Sequence, residues 1–268
     1  MSSADWQFDR ETSVEPTDVD GVFRAAPTSR WNIGTNPNGG YAASVVMRAL
    51  VASVSHVMPI SATTHYLRPA LADQPATVEV EVLRSGRTTS TASGRLIQDG
   101  KERLRVLASF GDVGPGAEPV LSIPRPDMPA PEDCPSRAEL AQGIDLPILE
   151  SLDVRVAPEW AEPGQSGQAV TGGWIRFCDG RPPDEGSLLL FSDAFPPSPF
   201  GLLGRVGWVP TLELTLHVRR KPVDGWIQVR TETRDIADDL LVEDGVLWDS
   251  SGAVVAQCRQ LSLLRSHQ

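Results

Sequence analysis

An apolar helix with almost no side left for solvent is what most constrains the fold of this 268-residue chain. From Tyr41 to Val54 only Ser44, Arg48 and Ser53 are strongly polar, so a helix here has to be covered nearly all round. The run is shorter than the roughly 20 apolar residues of a bilayer span, and Arg48 sits in its middle, which excludes a membrane helix. The turn Asn36-Pro37-Asn38-Gly39-Gly40 precedes it. Asn38 is a good N-cap, and glycines at the first helical positions let another group approach the free N–H donors. A covered helix followed by long strands implies a sheet around it.

The rest of the chain supplies such strands. Trp6 to Arg10 and Gly21 to Ala25 read as two short strands separated by polar turn material. Strands follow at about Ala62–Arg68, Ala76–Ser85, Thr89–Gln98 and Glu102–Phe110. Thr77 to Val82 alternates strictly, and Asp99-Gly100 marks a hairpin. Seven prolines between Pro115 and Pro135 then break the periodic pattern, as in an extended surface linker. Beyond it the first half recurs in outline: strands at Leu152–Val156 and Gly173–Cys178, a second apolar helix over Glu185–Phe195, and strands at Trp208–Arg219, Gly225–Arg234, Leu240–Trp248 and Ala253–Arg265. Pro222 follows Pro69 by 153 residues and Gly252 follows Gly100 by 152, so the pattern is that of a duplicated fold. A single lipocalin-type barrel would also use many sequential strands, but a buried helix at the same place in each half argues against it.

Composition narrows the function. A net charge of -11 and a pI near 4.8 speak against nonspecific nucleic-acid binding. Met1 to Asp20 lacks a charged start followed by an apolar stretch, so the cytoplasm is the expected compartment. Cys134, Cys178 and Cys258 are odd in number and far apart, which fits neither a disulfide framework nor a zinc site, and Cys178 and Cys258 read as buried. The four histidines are equally scattered, so no metal is expected. His65 and His217 have no Gly-x-Ser-x-Gly elbow to serve and read as ordinary strand residues.

Trp31, the Pro37-Asn38-Gly39-Gly40-Tyr41 turn, the strand ending Tyr66-Leu67-Arg68-Pro69, and Arg84-Ser85-Gly86-Arg87 together resemble the TesB-like acyl-CoA thioesterases. The resemblance covers nearly the whole chain. It implies an α+β double hotdog in which two antiparallel sheets each wrap a central helix. Residues 1–112 and 145–268 would form the two units, with 113–144 the proline-rich linker. The implied activity is hydrolysis of a fatty acyl-CoA to free acid and coenzyme A, without a cofactor.

Asp193, amid Leu188 to Phe195, is the residue that stands out, because a carboxylate in such company is either partnered or used. By itself it could be a local cap. The resemblance implies that it holds or activates the attacking water, with a Thr on the next strand, Thr211, and a Gln on the last, Gln260. Taken alone, Thr211 is a β-branched strand residue and Gln260 a solvent-facing one. The family often follows its Thr with Asp-His-Ser, whereas Glu213-Leu214-Thr215 stands here, so Glu213 is an extra candidate base and Thr215 a fallback hydroxyl.

The halves look complementary. Counting from Gly40 to the place of Asp193 lands on Met47 or Arg48, neither an acid, and the second helix starts without a Gly-Gly pair. A single composite site follows, with Asp193 from one half and backbone N–H groups around Gly39, Gly40 and Tyr41 from the other polarising the thioester carbonyl. The bland reading of Gly39-Gly40 is a tight turn under close helix packing. Arg84, Arg87 and Arg219 are candidates for the phosphates of coenzyme A. A homo-oligomer is expected, because a strand that alternates as Thr77 to Val82 does needs cover on both faces. Two other functions remain: a noncatalytic acyl-CoA or lipid binder, and a hotdog hydratase, whose Asp-x-Asn-Pro-x-His pattern is here reduced to Asn36-Pro37.

Overall fold

The computed structural model describes residues 6–112, 119–141, 143–205 and 207–265. Its elements in chain order are α1 (Gln7–Glu11), β1 (Glu15–Pro16), β2 (Val22–Ala25), β3 (Asn32–Ile33), β4 (Asn36–Pro37), α2 (Gly39–Ser53), β5 (Pro59–Tyr66), β6 (Ala76–Ser85), β7 (Thr89–Gln98) and β8 (Lys101–Gly111). There follow β9 (Leu152–Val156), β10 (Val170–Phe177), α3 (Leu188–Ser192), α4 (Pro199–Leu203), β11 (Thr211–Val218), β12 (Ile227–Ala237), β13 (Leu240–Trp248) and β14 (Val254–Leu263). Twelve strands form one sheet, ordered β1-β2-β6-β7-β8-β5-β11-β14-β13-β12-β10-β9, and all its pairs are antiparallel. The two expected sheets are thus continuous, joined where β5 meets β11.

The duplication is visible at that seam. Thr63 pairs with Thr215, 152 residues later, and their hydroxyls share a hydrogen bond of 2.9 Å. Equivalent residues therefore face each other across a pseudo-twofold axis.

The long helix is as covered as its sequence demands. Asn38 caps it, accepting the N–H of Tyr41, and residues from Gly40 to Met47 are all buried. It packs on β5 to β8 and on α3. At Gly40 the approach of α3 is so close that a Cβ would lie 2.5 Å from the carbonyl oxygen of Leu189. Arg48 is held by Asp9 and Thr12, and Asp9 also binds Arg181. These contacts explain why Trp6 to Arg10 is not a strand. One helical turn points Phe8 into the core against Trp31 and Phe177 while Asp9 reaches the two arginines.

Three further expectations change. The second apolar helix stops at Ser192, because Pro196 and Pro197 have no N–H to continue it, and α4 starts afresh at Pro199. Cys178, one residue past β10, is exposed, whereas Cys134 and Cys258 are buried. The proline-rich segment is bound to the sheet, since Trp248, Gln228 and Trp174 on adjacent strands donate to the carbonyls of Ile123, Pro126 and Pro129 at 3.1, 2.9 and 2.8 Å. Acceptors three residues apart suit an extended proline-rich chain, which turns once in three residues. Among the described residues no helix is long and apolar enough to cross a membrane.

Candidate active site

Asp193 is the C-cap of α3, where the end of its own helix disfavours a negative charge. The N-terminus of α2 offsets this. Oδ2 of Asp193 accepts the N–H of Gly40 at 2.8 Å and the amide of Asn38 at 2.9 Å, and the same amide donates to the Asp193 carbonyl at 2.8 Å. Among the described residues nothing donates to Oδ1. The contact depends on both glycines: a Cβ on Gly39 would sit 3.0 Å from Oδ2 and from the ring of Tyr66, and one on Gly40 would sit 3.0 Å from the Asp193 Cβ.

The sequence alone leaves the N–H donors of Gly40 and Tyr41 free for a substrate carbonyl. The structure corrects this: Gly40 donates to Asp193 and Tyr41 to the Asn38 side chain. The Tyr41 side chain is also occupied, donating to the Glu11 carbonyl and stacking on Trp31. Of the three expected residues, Gly39 alone lines the cavity described next, and among the described residues no hydrogen bond takes up its N–H.

That cavity has a volume of about 820 Å³ and brings Asp193, Thr211 and Gln260 together. Gln260 faces inward because it pairs with the buried Leu214. A bulge between Thr211 and Glu213 resets the alternation, so that Thr211 also turns inward, and the Gln260 amide donates to its hydroxyl at 2.7 Å and to that of Ser262 at 2.9 Å. The same bulge leaves Glu213 outside the cavity lining, where it accepts the hydroxyl of Thr215 beside Thr63. His65 and His217 are exposed.

Three further residues, to which the sequence pattern assigns no role, line the cavity. Tyr66 walls it beside Gly39, and its hydroxyl is buried without a hydrogen bond of normal geometry, the Thr64 hydroxyl nearby included. Arg137, ahead of β9, is buried, lines the cavity and donates to the Ala194 carbonyl. Glu243 on β13 accepts the N–H of Ser198 at 2.7 Å and faces the cavity opposite Gln260. Its signal was present in the sequence as a carboxylate in the inward row Leu241, Glu243, Gly245, Leu247. Arg84, Arg87 and Arg219 do not line the cavity; Arg68, Arg205 and Arg265 do, all three exposed.

Burial dominates the electrostatics. Asp193 keeps some surface open to the cavity, but protein surrounds it, and this pushes its pKa up to about 6; Glu243 adds to the rise, while Gly40, Asn38 and Arg137 oppose it. Burial pulls Arg137 down to about 10, still a cation at neutral pH, and pushes Glu243 and Tyr66 upward.

Comparison with known proteins agrees with the geometry. Residues 27–111 match the family model described as the acyl-CoA thioesterase N-terminal domain, and 131–264 match the C-terminal domain. An uncharacterized protein of Mycobacterium tuberculosis is 28% identical over 269 residues, covering 91% of each chain. A crystal structure from Thermobifida fusca, described as a candidate thioesterase II, superimposes with a TM-score of 0.86 at 29% identity, covering 97% of each chain. A hot dog protein of Alicyclobacillus acidocaldarius gives 0.85 at 21% identity, over 97% of this chain and 98% of that one. An acyl-CoA thioesterase II of Mycobacterium marinum gives 0.78 at 21% identity, over 97% and 99%.

The raised pKa of Asp193 has a consequence for stability. An acid whose folded pKa lies above its unfolded value binds more protons when folded, so the Asp193 contribution to stability is greatest below about pH 4, falls as pH rises through 6, and is then level. The penalty is about 3 kcal/mol. Asp193→Asn removes it while retaining an oxygen for Gly40 and Asn38. Denaturant unfolding of both proteins from pH 4 to 7 should therefore show the variant gaining on the wild type by about that amount. A stability difference independent of pH would contradict the burial of this charge.

Proposed function

Because this chain belongs to the acyl-CoA thioesterase family, and is thus a thioester hydrolase, we propose that it hydrolyses a fatty acyl-CoA to the free acid and coenzyme A by carboxylate-assisted attack of water. The observation that carries this reading is the Asp193 carboxylate, fixed through one oxygen on the N-terminus of α2 and sharing a cavity with the Thr211–Gln260 pair.

The chemistry follows from the donors present. The amide of Gln260 occupies a lone pair of the Thr211 oxygen, so the Thr211 hydroxyl proton is directed elsewhere, toward the water. Asp193 takes the water's proton as its oxygen bonds to the carbonyl carbon, and a base with a pKa near 6 is ionised yet basic at neutral pH. The N–H of Gly39, at the positive end of α2, faces the charge that develops on the carbonyl oxygen. Collapse of the tetrahedral intermediate breaks the C–S bond, and its electron pair leaves with the thiolate. Ile33, Ile144, Leu146, Phe195, Phe200 and Trp208 offer apolar wall to an acyl chain, and Arg68, Arg205 and Arg265 offer cations to the phosphates.

We also propose that the chain works as a homo-oligomer. The far half of β6 leaves Val82 and Leu83 exposed, at 43% and 51%, beyond the reach of the core. Light scattering at micromolar concentration should return a multiple of the chain mass, and a monomer would remove this part of the proposal.

The kinetic test is release of free thiol from a panel of acyl-CoAs. Asp193→Asn should lower turnover by about 10²- to 10⁴-fold with little change in acyl-CoA binding, and Gln260→Ala should cost less because it orients without transferring a proton. Glu213→Gln, outside the cavity, should turn over like the wild type. In the same assay KM should rise with ionic strength. Near-normal turnover by Asp193→Asn alongside a dead Glu213→Gln would move the base to the other carboxylate, and a KM indifferent to salt would discard the arginines.

A further inference from the structure

The inward row of β13 consists of Leu241, Glu243, Gly245 and Leu247, with Leu241 and Leu247 buried and Gly245 so tightly covered that a Cβ would meet the sulfur of Cys258 at 2.4 Å. A carboxylate in this row is costly to desolvate and invites a use beyond packing. Glu243 is also held in place. Its Oε2 accepts the N–H of Ser198, whose hydroxyl is hydrogen-bonded to Thr233 at 2.8 Å, and Thr233 is the β12 residue paired with Glu243. On the other side Glu243 pairs with Gln260, whose amide holds Thr211. Burial pushes the Glu243 carboxyl upward, and the groups of Ser198, with the nearby Thr231 in the cavity wall, oppose that rise.

The geometry points to Glu243 as a positioning residue for hydrolysis: a second negative charge, fixed on the sheet wall of the cavity, whose repulsion of the Asp193 carboxylate is relieved when Asp193 takes the proton of the attacking water. This rests on the proposed function. No bond to Glu243 forms or breaks, and the water's proton goes to Asp193 alone. The gain is confined to the step in which charge on Asp193 is neutralised, so it favours the transition state over the bound substrate. The groups that face Asp193 are consistent with such a role. Gly40 and the N-cap Asn38 donate to it from the start of α2, Arg137 attracts it from the segment ahead of β9, and Tyr66 flanks it from β5 as a neutral phenol. All but Glu243 and Tyr66 make Asp193 a weaker base. Glu243 is the charge that opposes them.

Glu243→Gln is the discriminating variant, because its amide oxygen can still accept the Ser198 N–H while the charge is gone. With an acyl-CoA that the wild type hydrolyses, the pH at which kcat is half-maximal should move down by about 0.5–1 unit. The plateau kcat should fall about 3- to 10-fold, as expected of a weaker base. KM should hardly change, the melting temperature at neutral pH should hold or rise because a buried charge and its repulsion of Asp193 are removed, and Glu243→Asp should restore part of the shift. A Glu243→Gln profile that superimposes on the wild type, or moves up, overturns the inference while leaving the proposed function standing. A wild-type chain that releases no thiol from any acyl-CoA overturns both. Loss of kcat together with a fall in melting temperature and an unmoved midpoint would mean that Glu243 is only an anchor for Ser198.

Discussion

The hydrogen bond from the Gly40 N–H to the Asp193 carboxylate is the contact on which the rest of this structure depends. It joins the first turn of the long helix in one half to the last turn of the short helix in the other, and it requires both halves to be in register. The seam supplies the register through Thr63 and Thr215. The glycines supply the room, since any side chain at Gly40 would collide with the backbone of α3. Without the donors of α2, a carboxylate at the C-terminus of α3 would face an unfavourable dipole in an environment that excludes water.

Those donors do not fully compensate for burial, and the remainder is useful. Two hydrogen bonds and the cationic Arg137 lower the proton affinity of Asp193, while burial and Glu243 raise it, leaving a pKa of about 6. A carboxylate satisfied by more partners would be a poor base; one with fewer would be protonated at neutral pH and inert. The imbalance is local, and in the proposed mechanism it is what makes Asp193 a base at neutral pH. The surrounding α2, covered from Gly40 to Met47, provides the rigid platform that holds it.

Much of this was legible in the residues because it expressed itself as pattern. The all-round apolar run of α2 and its Asn38 cap, the alternating strands, and the offset of 152 to 153 residues follow from periodicity. Asp193 was visible as an anomaly, a charge among leucines and phenylalanines. What escaped is what depends on a partner distant in sequence. Gly40 and Tyr41 look like free donors until Asp193 and Asn38 are seen to occupy them. Trp6 to Arg10 resembles a strand until Asp9 finds Arg48 and Arg181. Arg137 lies in a proline-rich stretch whose composition suggests only a surface linker, and Thr211 reaches the cavity through a bulge that strict alternation does not foresee. Glu243 obeys the same rule of anomaly as Asp193, but its row is short and interrupted by Gly245, so the signal was weak.

The central claim is that Asp193, held on the α2 N-terminus, is the base that removes the proton from water. The most direct measurement is the single-turnover rate of acyl-CoA hydrolysis as a function of pH, which isolates the chemical step from product release. Because the ionised carboxylate is the active form, the rate should climb about tenfold per unit at low pH and level off above a midpoint near 6. A rate that is flat from pH 5 to 8, or whose midpoint lies near the ordinary aspartate value, would contradict it.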